Sequence, residues 1–370
     1  MTKSSAGRAG AKRRQGLLLR PPSQLVAMNL RLIEAASLLV VGCPMDDACL
    51  LLEAHPADSR PVYFNFDYAT YKSLSGRRDQ TSSEHDNLIF GSWYRGSEDH
   101  DSALVYLPKS RQFTELTLTM TANAVKSGGR IILVGENGAG IRSSRSTLED
   151  IVGPVEASEA ARHSVLYLAR NERKNAMRTA LEDWIQTYNI ELAGQSLSIC
   201  SLPGVFSHGR LDSGTRFLLE HLDSPRKARV LDFGCGAGVI GGWIKKSYPD
   251  IQVDMIDTSA LALEASRRTM AANGLSADRI WASDGFSEVS ESYTRIVSNP
   301  PFHVGIKTDY HVVEDFLKSA KSHLKGDGSL LIVANRFLKY RPLLDRYVGK
   351  CEVVAENPSY RVYTSSASKR

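Results

Sequence analysis

The sequence feature that most constrains the fold is a pattern of strand, glycine turn and helix that occurs twice. In the C-terminal half, residues 229–238 form a short, mostly apolar run that ends in three glycines. A similar run surrounds Val40, which corresponds to Asp232, and the motif around Leu107 corresponds to that around Asn299. The two separations, 232 − 40 and 299 − 107, both equal 192 residues. Two landmarks at one offset indicate an internal duplication.

The elements around this pattern indicate the fold class. Strand-like segments at 252–256 and 330–334 alternate with helical segments such as 259–272, and the segments 351–355 and 360–364 are expected to close the sheet as an antiparallel pair. Strands that alternate with helices form a mostly parallel sheet with helices on both faces. We therefore predict an α/β protein of two tandem Rossmann-like domains related by duplication.

The first copy has lost the polar groups that the second copy retains. At the three aligned positions where the second copy has Asp232, Gly236 and Asn299, the first has Val40, Pro44 and Leu107. The apolar framework is kept while the groups that can perform chemistry are gone. We therefore predict that the first domain is degenerate and non-catalytic.

The length of 370 residues also suggests two domains. The expected organisation is a basic, disordered tail (1–25), the degenerate domain (26–170), a linker (171–200) and the catalytic domain (201–370). The first 20 residues contain six Lys and Arg and no acid. Such a tail is consistent with a solvated arm or with a salt-sensitive grip on a polyanion such as RNA.

Composition excludes several classes of protein. With 42% hydrophobic residues the chain has no run of about 18 apolar residues, and its basic N-terminus lacks the apolar stretch of a secretory signal. We therefore expect a cytoplasmic protein that does not span a membrane. The five cysteines are scattered and none shows a C-x2-C spacing, which predicts reduced thiols and no metal site.

The second glycine turn predicts a nucleoside cofactor. Gly234 and Gly236 permit positive φ angles and close approach of a ligand to the backbone at a helix N-terminus. The third glycine of a dinucleotide fingerprint is missing, and Asp232 suits an ammonium group, such as that of S-adenosylmethionine (SAM), better than a pyrophosphate. Asp257 can accept both ribose hydroxyls, and Asp284 is a candidate contact for the adenine amine. Each carboxylate alone is equally consistent with a solvated strand end or a helix cap.

The segment from residue 299 to residue 303 is the most informative part of the chain. It follows a strand, at the edge of the sheet where open α/β folds bind their ligands. The amide oxygen of Asn299 and the carbonyl of Pro300 can together accept two hydrogen bonds from one planar amino group. Phe302 offers a face for base stacking, while Pro301 and His303 are candidate substrate contacts. The alternative is a rigid turn around a buried Phe302.

These motifs resemble a known family. The glycine turn, Asp257 and the Asn-Pro-Pro-Phe-His segment are similar to those of class I SAM-dependent methyltransferases that modify exocyclic amino groups. With the degenerate first copy, three further segments resemble the bacterial ribosomal RNA small subunit methyltransferase C family: Pro203-Gly-Val-Phe-Ser207, Leu211-Asp212 and Val333-Ala-Asn335. The basic tail has no counterpart in that family.

The resemblance implies a seven-stranded sheet, SAM as the methyl donor and 16S rRNA within the 30S subunit as the substrate, with the protein expected to act as a monomer. By position, Asp232, Gly234 and Gly236 would line the SAM site, Asp257 would bind its ribose, and residues 299–302 would hold the guanine. The reaction implied is transfer of a methyl group from SAM to N2 of one guanine.

Two other functions remain open at the level of sequence. The sister enzymes that methylate 23S rRNA share the duplicated framework and the Asn-Pro-Pro-Phe-His segment. A non-catalytic RNA-binding assembly factor is the rival from another class, although the intact Asp232, Asp257 and Asn299 argue against it. A nicotinamide dehydrogenase is disfavoured by the missing fingerprint glycine.

Overall fold

The computed structural model describes residues 17–54, 60–78, 87–173, 178–223, 229–300 and 310–367. The chain divides into two compact units, Met1–Trp184 and Ile185–Arg370. The boundary falls within the segment 171–200 that we assigned to a linker. The described part of this segment has regular structure, namely a 3-10 turn at Leu181–Trp184 and a strand hairpin that belongs to the second unit.

The first unit contains a seven-stranded sheet with the order β3-β2-β1-β4-β5-β7-β6. Its strands are β1 (Leu38–Val41), β2 (Val62–Asn65), β3 (Leu88–Phe90), β4 (His100–Tyr106), β5 (Val125–Glu136), β6 (Val155–Ala161) and β7 (Ser164–Arg170). Its helices are α1 (Pro21–Met28), α2 (Ala48–Glu53), α3 (Tyr68–Arg78), α4 (Arg111–Ala124) and α5 (Ser144–Ile151), with 3-10 turns at Leu30–Leu32 and Asn137–Ala139.

The second unit repeats this order as β12-β11-β10-β13-β14-β16-β15. Its strands are the hairpin β8 (Gln186–Leu192) and β9 (Gln195–Ser201), then β10 (Arg229–Phe233), β11 (Gln252–Asp257), β12 (Arg279–Ala282), β13 (Tyr293–Ser298), β14 (Leu324–Asn335), β15 (Cys351–Glu356) and β16 (Tyr360–Ser366). Its helices are α6 (Ser213–Glu220), α7 (Val239–Ser247), α8 (Ala260–Ala272), α9 (Tyr310–Ser322) and α10 (Arg341–Tyr347).

The matching strand orders confirm the predicted fold class. In each sheet the first five strands in spatial order pair in parallel, and the last two join the edge as an antiparallel pair. The central strands β1 and β10 occupy equivalent places, as the offset of 192 residues predicts. The predicted strands and helix of the second unit are also present. However, β14 begins at Leu324 rather than at residue 330, because Leu324 already pairs with Tyr293 before a bulge shifts the register.

The inner strands of each sheet, such as β1 and β10, are buried because they are largely apolar, whereas the edge strands β6 and β15 are largely exposed or alternate between exposed and half-buried residues. The segment 330–334, for example, is predominantly buried, and Val313, Phe316 and Leu317 of α9 pack against its face within one cluster. Such runs are typical of strands covered by helices on both faces. The hairpin of β8 and β9 is fixed to α8, since the Cys200 N–H donates to Thr269 Oγ1 at 3.0 Å.

In the first unit, the chain itself covers the turn after β1. Asp46 and Asp47 are buried there, and their carboxylates accept hydrogen bonds at 2.8 Å from the backbone N–H groups of Arg20 and Leu18. The N-terminal segment therefore lies against the turn that corresponds to the glycine turn of the second unit.

Two further observations bear on the class of protein. Within the described ranges, the structure contains no helix that is long and apolar enough to cross a membrane. All five cysteines are free and buried.

Candidate active site

The predicted site residues of the second unit meet at one edge of its sheet. β10 lies between β11 and β13, so the carboxyl ends of these three strands are adjacent. Asp232 lies near the end of β10, Asp257 ends β11, and Asn299 follows β13 directly. The chain leaves β10 towards β11 on one side and later returns as β13 on the other. Such a change of direction opens the crevice in which α/β sheets bind ligands.

The turn after β10 leaves space for a ligand at two glycines. Gly234 and Gly236 have φ angles of 70° and 56°, which are left-handed values that favour glycine. Among the described residues, and apart from each glycine's two neighbours along the chain, a Cβ atom added at either position would meet no heavy atom within 4 Å. The turn is anchored from below, because the N–H groups of Gly234 and Cys235 donate to the Ile256 carbonyl at 2.9 and 3.0 Å. Glycine is therefore required here by the backbone conformation and not by crowding within the chain.

Asp257 faces this turn from the neighbouring strand. Its Oδ2 accepts a hydrogen bond from the Gly236 N–H at 3.0 Å, and its Oδ1 accepts one from the Ser259 N–H at 2.9 Å. The side chain thereby ties the glycine turn to the start of α8. A carboxylate has about four acceptor sites in all, so one side chain can accept hydrogen bonds from both the backbone and hydroxyl groups of a ligand.

Asp232 lies beneath the turn rather than on its open side. Its side chain is fully buried, and Oδ2 accepts a hydrogen bond from the Gly241 N–H of α7 at 2.8 Å, whereas Oδ1 has no hydrogen-bond partner among the described residues. Burial raises the pKa of Asp232 to about 7, with a smaller contribution from the nearby charge of Asp257. The predicted direct contact of Asp232 with a cofactor ammonium therefore stays a prediction. What the structure shows is a contact that positions the first turns of α7.

Asp284 lies on an exposed turn that follows β12. The turn is held next to Asp257, whose carbonyl accepts a hydrogen bond from the Ser283 N–H at 3.1 Å. Phe286 anchors it from inside by stacking on Phe233 with the ring centroids 4.7 Å apart. Asp284 is thus at the same edge of the sheet as the other predicted residues.

The amide of Asn299 is oriented by two acceptors. Its Nδ2 group donates to Asp212 Oδ2 and to Thr215 Oγ1, both at 2.9 Å. A carboxylate can only accept, so the amide nitrogen must face Asp212. The amide oxygen is therefore the atom that can accept a hydrogen bond from another group. Pro300, which follows, is buried.

Asp212 and Thr215 are functional candidates to which the sequence analysis assigned no role in the site, although Asp212 lies in a segment that resembles the family. Asp212 is the N-cap of α6 and accepts the Thr215 N–H at 2.8 Å with the same oxygen that receives Asn299. An aspartate before a helix indicates a cap. No local pattern, however, indicates a contact to a residue 87 positions later. Pro301, Phe302 and His303 lie outside the described residues.

Metal chemistry finds no support in the described ranges, where no group of three or more His, Cys, Asp or Glu side chains could hold an ion. The described acidic side chains around the glycine turn and Asn299 are those of Asp212, Asp232, Asp257 and Asp284. The edge therefore offers acceptors and backbone donors, which suit a cationic or hydroxyl-bearing ligand and an amino group.

Comparison with known proteins agrees with this organisation. Residues 196–364 match the family described as methyltransferase small domain, and residues 23–188 match the methyltransferase small domain N-terminal family. The chain is 36% identical over 353 residues to ribosomal RNA small subunit methyltransferase C of Colwellia psychrerythraea, covering 94% of this chain and 98% of the relative. The enzyme of the same name from Pseudomonas paraeruginosa is 40% identical over 344 residues, with 93% and 98% covered.

A solved structure shares the fold across both units. It is the 16S rRNA N2 guanine methyltransferase of T. thermophilus, in complex with AdoMet and guanosine. The TM-score is 0.79 with 22% sequence identity, and the match covers 95% of this chain and 93% of the other. At this identity the likeness supports the fold, including the tandem arrangement of two methyltransferase-like domains.

The buried Asp232 predicts a specific dependence of stability on pH. Its pKa of about 7 lies above the ordinary value of 3.8, so between these two values the folded state holds a proton that the unfolded chain releases. The free energy of unfolding should therefore fall as the pH rises through this interval, by at most about 1.4 kcal/mol per pH unit from this group. In Asp232→Asn this contribution is absent. We expect the difference in stability, variant minus wild type, to become more positive from pH 5 to pH 8.

Urea denaturation of both proteins at four pH values, without ligand, measures this difference. All other titrating groups contribute equally to the two curves, and any constant cost of the amide shifts the variant curve without changing its slope. Parallel curves over the interval would show that Asp232 is ionised in the folded protein throughout.

Proposed function

Because this chain belongs to the ribosomal RNA small subunit methyltransferase C family, we propose that it transfers a methyl group from SAM to the exocyclic N2 of a guanine in 16S rRNA. The observation that carries the proposal is the fixed amide of Asn299, at the same sheet edge as a glycine turn whose backbone conformation favours glycine at positions 234 and 236. We further propose that the rRNA is presented in the 30S subunit and that the protein acts as a cytoplasmic monomer.

The residues at the sheet edge fit SAM. The backbone at Gly234 and Gly236 would receive the ligand, and the carboxylate of Asp257 would accept its ribose hydroxyls. Asp284 would face the adenine amine. We propose that Asp232 positions the glycine turn and the start of α7 through its hydrogen bond with the Gly241 N–H. Its buried carboxyl group would also attract a cationic ligand bound above the turn. When bound there, SAM supplies an electrophilic methyl group on a sulfonium sulfur.

Asn299 and Pro300 would orient the guanine amine. The Asn299 amide oxygen and the Pro300 carbonyl would accept its two N–H groups, which favours a more pyramidal nitrogen whose lone pair points at the methyl carbon. The exocyclic amine is a poor nucleophile, so its orientation is the main contribution that the protein can make, worth up to about 7 to 11 kcal/mol in the best cases. The methylated nitrogen then loses a proton to solvent, so the reaction does not require a strong base. Phe302 and His303 stay predicted contacts of the base.

The first unit would support the reaction without performing it. Its counterparts of Asp232 and Asn299 are Val40 and Leu107, which cannot accept hydrogen bonds through their side chains. The segment that includes Leu18 and Arg20 also occupies the turn after β1. We propose that each chain binds one SAM molecule, in the second unit.

Methyl transfer to isolated ribosomal particles tests the function directly. The protein is incubated with methyl-labelled SAM and, separately, with unmethylated 30S subunits, free 16S rRNA and 50S subunits, and the label is mapped by nuclease digestion. We expect label on N2 of one guanine in 16S rRNA. Label in 23S rRNA alone would assign the protein to the sister activity, and no label despite SAM binding would favour a non-catalytic role.

Asp257→Ala should weaken SAM binding by about 10- to 100-fold, because hydrogen bonds to a charged group contribute roughly 1.5–3 kcal/mol each. Isothermal titration calorimetry measures the dissociation constant. Ser259→Ala is the matched control, since it removes only the side chain that caps α8 through the Ala262 N–H at 3.3 Å. Equal affinities in wild type and Asp257→Ala would remove Asp257 from the site.

Asn299→Ala should retain SAM binding and lose most turnover, because the acceptor for the guanine amine is removed.

Asp212→Asn should lower kcat by about tenfold or more with the same SAM affinity. An amide at position 212 can donate as well as accept, so the Asn299 amide is no longer forced to turn its nitrogen towards residue 212. Asn is as good an N-cap as Asp, so α6 should keep its stability. A wild-type kcat in Asp212→Asn would show that the orientation of Asn299 does not depend on Asp212.

A further inference from the structure

A pocket at the carboxyl edge of the second sheet lies beside the candidate active site. We call it the Phe337 pocket; it has a volume of about 630 Å³, and its lining consists of Asn335, Arg336, Phe337, Pro358, Ser359, Tyr360 and Arg361. It is formed where β14 ends and β16 begins, because Asn335 pairs with Tyr360 at that end of the two strands. The pocket is therefore on the same edge as Asn299.

The wall that carries Phe337 is rigid. Leu338 and Tyr340 are only 3% and 1% exposed and fix the chain to the core on both sides of residue 339. The Leu338 N–H donates to the Asn335 carbonyl at 3.0 Å, and the Arg336 N–H donates to the Ser359 carbonyl at 2.8 Å. Against this anchored backbone the Phe337 side chain is 76% exposed. A large aromatic ring held in solvent by a fixed turn is available to stack on a flat partner.

The charge of the pocket selects an anionic partner. Arg336 is exposed, and Arg361 contributes a second guanidinium. The Nε of Arg361 donates to Glu356 at 2.8 Å, and Arg361 also hydrogen-bonds Tyr363. Glu356 interacts electrostatically with Arg336 too, so two guanidinium groups face one carboxylate and a positive charge remains. None of the described residues that line the pocket is acidic. An exposed aromatic ring between arginines is the combination that binds single-stranded nucleic acid through base stacking and phosphate contacts.

One helix end connects the pocket with the residue that would hold the guanine. Ser213 Oγ and the Tyr360 hydroxyl form a hydrogen bond of 2.7 Å, so the first residue of α6 touches the pocket lining. The preceding residue, Asp212, accepts the hydrogen bond from Asn299. The pocket and the amide of Asn299 are therefore separated by two consecutive residues at the start of α6.

We propose that the Phe337 pocket binds a nucleotide that neighbours the target guanine in single-stranded RNA. Phe337 stacks on the base of this nucleotide, and Arg336 and Arg361 contact the flanking phosphates. This inference rests on the proposed function, because it takes the strand that carries the methylated guanine as the ligand. According to this proposal, the second unit contacts the RNA at a neighbouring nucleotide as well as at the guanine that is methylated.

The first test is the affinity of variants for RNA. Filter binding measures the dissociation constants of 30S subunits assembled from unmethylated transcript and of the free 16S transcript. Loss of one stacked base should weaken binding by about 5- to 100-fold, which we expect for Phe337→Ala and Phe337→Leu. Phe337→Trp should bind within about twofold of wild type, because it keeps a stacking face.

Two matched controls separate stacking from general surface effects. Val354 of β15 is another exposed apolar side chain, and Val354→Ala should leave both dissociation constants unchanged. Arg336→Ala should lower the slope of log affinity against log salt by about 0.7, the value for one lost phosphate contact on a single strand. Lys350 lies at the opposite end of the sheet, and Lys350→Ala should keep the wild-type slope.

Ultraviolet crosslinking identifies the partner. In the complex with 30S subunits, the peptide that contains Phe337 should crosslink to a nucleotide next to the methylated guanine. Wild-type RNA affinity in Phe337→Ala, wild-type RNA affinity in Phe337→Leu, or a crosslink to a ribosomal protein would each overturn the proposal.

The SAM affinity of each variant and methyl transfer by the wild type are measured in parallel. If the wild type transfers methyl groups normally and Phe337→Ala binds RNA with wild-type affinity, only the role of the Phe337 pocket is rejected. If the wild type transfers no methyl group, the proposed function itself is rejected.

Discussion

The candidate site depends on the parallel pairing of β10 with β11 on one side and β13 on the other. This pairing brings three strand ends to one edge, although Asp232, Asp257 and Asn299 are widely separated along the chain. The side chains then fix each other's surroundings: Asp257 holds the Gly236 N–H of the glycine turn, and Asp232 holds the start of α7 from beneath. A shift of one residue in either register would turn the side chains of that strand to the opposite face of the sheet. The relative positions of Asp232, Asp257 and Asn299 are therefore set by the pairing of the three strands, and the loops adjust the side-chain orientations.

The two units show which part of this arrangement belongs to the fold and which part belongs to the chemistry. Both sheets have the same strand order, so apolar residues at positions such as Val40 and Leu107 are sufficient for the architecture. In the first unit, the turn after β1 is filled by buried carboxylates that bind the N-terminal backbone. In the second unit, no described residue beyond the immediate chain neighbours would touch a Cβ atom added at Gly234 or Gly236 of the equivalent turn. In the second unit Asp232 is buried with one oxygen that accepts no hydrogen bond from the described residues, and such burial of a polar atom carries an energetic cost.

The sequence was sufficient for the features that have a local pattern. Alternating strands and helices, the duplication and the sheet edge that gathers Asp257 and Asn299 follow from periodicity and from the rule that parallel strands end together. Three features could not be obtained in this way. The burial of Asp232 under its own turn depends on how α7 packs, the hairpin of β8 and β9 is held by a contact to Thr269, and the orientation of Asn299 depends on Asp212. Each is set by a tertiary contact with no periodic signature, and a cap such as Asp212 gives no indication of its second partner.

The start of α6 has a role beyond capping a helix. Asp212 satisfies two donors with one oxygen, the Thr215 N–H of its own helix and the amide of Asn299. Ser213 reaches the Phe337 pocket through Tyr360. For a weak nucleophile such as an aromatic amine, rate depends on orientation, and orientation depends on how firmly the acceptor and the flanking strand are held relative to each other. The short helix α6 contacts both Asn299 and the lining of the Phe337 pocket, so it can hold these two places at a fixed distance from each other. If the Phe337 pocket binds the flanking nucleotide as proposed, the start of α6 would link that binding to the alignment of the reacting nitrogen.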